Sequence, residues 1–135
     1  MTPGKKIYLG TLIPVAEGHQ VRALSARVQD APAGVKVVGV YAVSHNEYAR
    51  QGTIGILPED GSQSIKSLYP DLRLHPIGDA TFAPLPSPWY LVMVFTGTKP
   101  GTYKAGGLLV SYVDLKTGLH GTQTYNLHVN LDITN

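Results

Sequence analysis

The chain has 135 residues, no cysteine, 15% charged side chains and a formal charge of +2. A chain of this length suits one domain that hides roughly two-thirds of its unfolded surface without a covalent staple, so residues 1–135 are expected to form a single domain. The absence of cysteine excludes disulfides, thiolate nucleophiles and cysteine-ligated zinc, and the low charge with 43% hydrophobic residues excludes a disordered chain.

Strand signals recur along the whole sequence, separated by Gly, Pro, Asn and Asp. Lys6 to Ile13 (KIYLGTLI) is a short β-rich run stopped by Pro14, which cannot donate to a ladder. Gln20 to Val28 permits a helix, because Val21, Leu24 and Val28 fit a 3.6-residue period. A strand is preferred, since Ala31-Pro32-Ala33-Gly34 ends the run and another strand follows at once. Val35 to Ser44 is rich in β-branched residues and reads as a buried strand. Tyr48 to Ile56 is ambiguous, with Gly52 and Gly55 suggesting bends, and Pro58-Glu59-Asp60-Gly61 is a turn. Ser64 to Pro86 carries four prolines and supports only short strands, one near Leu72 to Pro76.

The last third is more regular. Trp89 to Thr96 (WYLVMVFT) is apolar on both faces, as a central, well-covered strand should be. Gly97 to Gly101 is read as a hairpin turn into a strand from Thr102 to Val113, with Gly106-Gly107 marking a bulge or a close approach. After a turn at Lys116-Thr117-Gly118, Thr122 to Thr134 alternates throughout. Tyr125, Leu127, Val129, Leu131 and Ile133 share the expected buried face, and Thr124, Asn126, His128, Asn130 and Asp132 share the wet one. Short strands at regular spacing without helices predict a β-sandwich or barrel.

Pro100-Gly101-Thr102-Tyr103 refines this expectation. In immunoglobulin-type sandwiches a Tyr near the start of the penultimate strand bonds back to the upstream backbone, two residues before a position often held by Cys. Tyr103 fits that corner, and Ala105 takes the cysteine position. With the following Leu-Leu-Val-Ser-Tyr and the alternating last strand, residues 89–134 resemble bacterial immunoglobulin-like domains. The resemblance implies an all-β, immunoglobulin-like β-sandwich of about seven to nine mostly antiparallel strands. It also implies a non-catalytic interaction or structural module of a secreted or cell-surface bacterial protein. It transfers no catalytic residues, and residues 1–88 carry no family pattern.

Candidate chemistry is sparse. The five histidines (19, 45, 75, 120 and 128) lack the i, i+2 or i, i+4 spacing that would aim two at one ion. His120 and His128 are about 26 Å apart on an extended strand. Glu59-Asp60, Asp71 and Asp79 form no calcium-loop pattern. Gly61-Ser62-Gln63-Ser64-Ile65 starts like a nucleophile elbow but ends in Ile, and Gly97 to Gly101 lacks the ending of a phosphate loop. No cofactor, no metal and no enzymatic activity are therefore expected.

Basic residues are dispersed, with Lys5-Lys6 the only adjacent pair, so no nucleic-acid stripe is present. No apolar run reaches the ~20 residues that span a bilayer, leaving membrane attachment to a segment outside this chain. Trp89 and the tyrosines could build a sugar-stacking platform only if exposed on one face. Trp89 enters an apolar strand, so packing is expected instead. The partner is then an unidentified protein or glycan. The alternatives are a carbohydrate- or small-ligand-binding sandwich and an accessory subunit of a larger assembly. The setting is extracytoplasmic if a leader or anchor was trimmed before Thr2, and cytoplasmic otherwise.

Overall fold

The computed structural model describes residues 5–11, 15–29, 31, 33–44, 56–58, 73–84, 89–104, 106–126 and 130–133. These form an all-β sandwich of two four-stranded antiparallel sheets with a two-stranded ladder beside them. In chain order the strands are β1 (Lys6–Thr11), β2 (Val21–Val28), β3 (Val35–Ser44), β4 (Ile56–Pro58) and β5 (Thr81–Phe82). Then come β6 (Trp89–Gly97), β7 (Gly101–Lys104), β8 (Gly107–Asp114), β9 (His120–Asn126) and β10 (Asn130–Ile133). One sheet runs β3-β6-β1-β4, the other β5-β2-β8-β9, and β10 pairs with β7. Among the described residues the only helical turn is a 3-10 turn at Ile77–Asp79.

β6 is the spine of the first sheet because its sequence can be buried on both sides. Leu91, Met93 and Phe95 join the core cluster, and Tyr90, Val92 and Val94 on the alternate face are equally shielded from water. β1 and β3 flank it in antiparallel register, Lys6 opposite Thr96 and Ser44 opposite Trp89. Between the sheets, Ile7, Leu9 and Phe95 meet Ala23, Phe82, Leu108 and Val110 of the second sheet, and β10 adds Leu131 and Ile133. Each of these side chains larger than alanine contributes about 1.5–3 kcal/mol when fully buried. Two register shifts, at Ala23/Ser25 and Val37/Gly39, leave the residues between them, Leu24 and Val38, turned to solvent.

Val35–Ser44 has the expected bounds, and Val21–Val28 is a strand rather than a helix. Four expectations change. The single strand from Thr122 to Thr134 is two strands, since β9 pairs with β8 and β10 with β7. Likewise Thr102 to Val113 divides into β7 and β8. The paired positions sum to 233 in the inner ladder (Gly107 with Asn126) and 234 in the outer one (Leu131 with Tyr103), so the register changes by one residue between them. Joined in sequence, these four pieces make two strands, and the total is then eight.

Gly97 to Gly101 is not a hairpin. β6 belongs to the first sheet, β7 pairs among the described residues only with β10, and Thr98 N–H donates to Gly34 O (2.9 Å) as the chain crosses. The strand expected near Leu72 to Pro76 is a lone bridge between His75 and Ala42. The turn at 59–61 and most of Tyr48 to Ile56 lie outside the described residues.

Candidate functional site

Two connections meet at one end of the sandwich. Between β1 and β2, His19 N–H donates to Ala16 O (3.0 Å), and Leu115 N–H donates to Gln20 O (2.9 Å), which ties this loop to the β8–β9 connection. The latter turn is dictated by its sequence, Asp-Leu-Lys-Thr-Gly. Asp114 Oδ1 accepts from Lys116 N–H (2.9 Å) and Thr117 N–H (3.4 Å), the self-capping that makes Asp a turn residue. Gly118, at φ 75°, supplies the left-handed position, and its N–H donates to Asp114 O (2.7 Å).

Asp114 Oδ2 lies 2.7 Å from His19 Nδ1, joining residues 95 positions apart. Partial burial pushes the Asp114 carboxyl up. The hydrogen bonds from His19, Lys116 and Thr117, with the His19 charge, outweigh it and hold the pKa below its ordinary 3.8. Beside this pair, on the inner face of the second sheet, lies a cleft of about 370 Å3. Val15, Val21 and Val110 give it apolar walls, and Tyr112, Gln123 and Tyr125 give it hydrogen-bonding groups. Burial, and then the neighbouring Tyr112, raise the Tyr125 hydroxyl above its ordinary 10.0, so it stays a protonated donor at neutral pH.

On the other side of His19 a wider hollow of about 510 Å3 is bordered by Glu17, Gln20, Pro84, Leu115 and Lys116. Leu115 and Leu119 stand 49% and 69% exposed on the same hairpin tip.

These groups can hold a ligand by hydrogen bonds and apolar contact. Acid–base or covalent chemistry has less to work with. The Asp114 carboxylate is already committed to three donors, and among the described residues no Ser, Thr, Cys or Lys lines the cleft. Among the described residues no three His, Asp or Glu side chains gather as a metal site. No helix there is long and apolar enough to cross a membrane.

The residues singled out from sequence do not form this site. Trp89 is half-buried against the core, its ring in T-shaped contact with that of His75 (5.4 Å, 85°), and His75 Nδ1 lies 3.9 Å from Asp79. Among the described residues Tyr8, Phe82, Tyr90 and Phe95 are buried, and Tyr41, Trp89, Tyr103, Tyr112 and Tyr125 are half-buried. Tyr103 packs on the core while its hydroxyl donates to the carbonyls of Lys99 (3.1 Å) and Pro100 (3.2 Å). Leu131 and Ile133 are buried, and of the described residues in that set Tyr125 alone reaches the cleft.

Ala105, Leu127 and Val129 lie outside the described residues, as do His45, His128, Glu59, Asp60, Asp71, Ser62 and Ser64. The sequence patterns point to neither Asp114 nor Gln123, and they count His19 only among histidines without metal-ligand spacing. The one local signal was the Asp-x-Lys-Thr-Gly turn, which announces a capping carboxylate but not its distant partner. Comparison with protein-family models, with curated proteins and with solved structures finds no significant match to this chain.

Proposed function

We propose that this chain is an immunoglobulin-like interaction module, non-catalytic, which meets its partner with the loop end that carries Leu115, Leu119 and the hollow beside His19. Strand order supports the subtype. Immunoglobulin sandwiches set strands A, B, E and D in one sheet and C, F and G in the other. With β1 as B, β2 as C, β3 as D, β6 as E, β7–β8 as F and β9–β10 as G, the six central strands follow D-E-B and C-F-G. The edge place of A is taken by β4, and β5 lies beside C. Both come from the connection between D and E. The Tyr103 hydroxyl bonds at the start of F fit the same reading.

The observation that carries the binding surface is Leu119, 69% exposed on the same hairpin tip as Leu115, which borders the charged hollow. Two large apolar side chains held out on an ordered turn favour a protein contact. A secreted or cell-surface setting rests on the resemblance to bacterial immunoglobulin-like domains alone. A photoreactive amino acid at position 119, in the cells that make the protein, should cross-link one defined partner, while the same group at Arg22 on the outer sheet face should not. Equal labelling at both positions, or turnover of any substrate that disappears with His19→Ala, would overturn the proposal.

A second reading is favoured by the cleft itself. A volume of about 370 Å3 with apolar walls and a few convergent polar groups suits a small ligand. Saturable quenching of tyrosine fluorescence by a small molecule, lost in Tyr125→Phe and kept in Leu119→Ser, would favour this reading over the loop-end contact.

A further inference from the structure

An open sheet edge offers unpaired backbone donors and acceptors to any other strand, and proteins normally blunt such edges with charge, proline, bulges or brevity. Most edges here are blunted in that way. β3 carries an exposed Lys36, a register shift at Val38, and a bridge from His75 onto Ala42. β4 has three residues and ends in Pro58, and β5 has two residues. In the small ladder β7 carries Lys104 and β10 carries Asp132, each in only four residues.

β9 is the exception. It is seven residues long (HGTQTYN), with no Lys, Arg, Asp, Glu or Pro, and it runs in unbroken register along β8. Among the described residues it pairs with β8 alone, and Thr122, Gln123 and Thr124 are all exposed.

We propose that β9 is a self-pairing edge, on which two copies of this chain join their second sheets into one eight-stranded antiparallel sheet. The occupant follows from the sequence of the strand. A two-fold axis perpendicular to the sheet keeps facing residues on one face, so the strand pairs with itself in even registers only. The register centred on Gln123 engages all seven residues. It sets Gln123 against Gln123, Thr122 against Thr124, Gly121 against Tyr125 and His120 against Asn126 of the second copy. No charge meets its like, and threonine pairs across strands are favourable. A charged extended peptide would find no complementary charge on this edge, whereas a second β9 matches it in length and polarity. The loop end is on other residues, so this inference stands apart from the interaction proposed above.

Sedimentation velocity of the full chain over a concentration series tests it. The wild type should pass reversibly from monomer to dimer. Thr122→Lys with Thr124→Lys sets like charges opposite each other twice and should weaken the dimer on the order of tenfold or more. Thr122→Lys with Thr124→Glu sets opposite charges together in the same register and should dimerise at least as well as the wild type. Both side chains are exposed, and an unchanged far-ultraviolet circular dichroism spectrum verifies folding. A wild type that is monomeric at every concentration overturns the proposal. So do two double variants that behave alike, or a monomer that captures extended peptides without ever pairing with itself.

Discussion

Tyr103 is held from two directions. Its hydroxyl donates to the backbone of Lys99 and Pro100, and its ring lies so close to Gly34 that a methyl group there would occupy the place of the phenol. Gly34→Ala is therefore expected to cost about 1–3 kcal/mol by overpacking, read as a lower urea midpoint at constant slope. Tyr103→Phe should cost about 0.5–1.5 kcal/mol, the worth of an ordinary hydrogen bond. Combining Gly34→Ala with Tyr103→Ala should cost clearly less than the two changes summed, since the alanine methyl then has room. Additive costs would mean that ring and glycine do not touch.

Asp114 is the other residue with more than one duty, and its lowered pKa fixes the sign of a pH effect. A carboxyl that folds into a lower pKa stabilises the fold above its ordinary value of 3.8, and that contribution disappears as pH falls through the folded-state value. The stability gap between wild type and Asp114→Ala should accordingly be present above 3.8 and shrink below it, as followed by urea unfolding at a series of acid pH values.

At the scale of elements, the long terminal hairpin slips register by one residue part-way along, between the β8–β9 and the β7–β10 pairings. Period-two alternation shows which residues share a face of a strand, but it gives no sign of where the pairing with the neighbouring strand slips. That is why Tyr125 with Leu131 and Ile133 looked like one strand, although Tyr125 lines the cleft and the other two close the core. β10 is short, yet it contributes two of the core's buried side chains, with Ile133 lying on Gly97. Ile133→Ala is expected to cost about 2–5 kcal/mol. Thr122→Ala, on the exposed part of β9, should stay within about 0.5 kcal/mol. Equal effects in thermal or urea unfolding would contradict the inward role of β10.

For the whole molecule, what the sequence carried was the local part. β2, β3 and β6 are recognisable from β-branched and apolar runs, because strand formation and burial depend on the segment itself. Sheet order is not local. That β1 sits between β6 and β4, or that His19 reaches Asp114, depends on contacts between distant segments that leave no periodic trace. The cleft is brought together by such contacts, so its residues read singly as strand, turn and loop.

The central seat of β1 also puts a clock on synthesis. Lys6 finds its place opposite Thr96, ninety positions later. At about 5–20 residues per second, β1 leaves the ribosome roughly 5–18 s before its main neighbour is made. Throughout that interval Ile7, Tyr8 and Leu9, all buried in the finished fold, lack the β6 strand that pairs with them. Those three side chains are thus a place where a chaperone's cover would count while β6 is still being made.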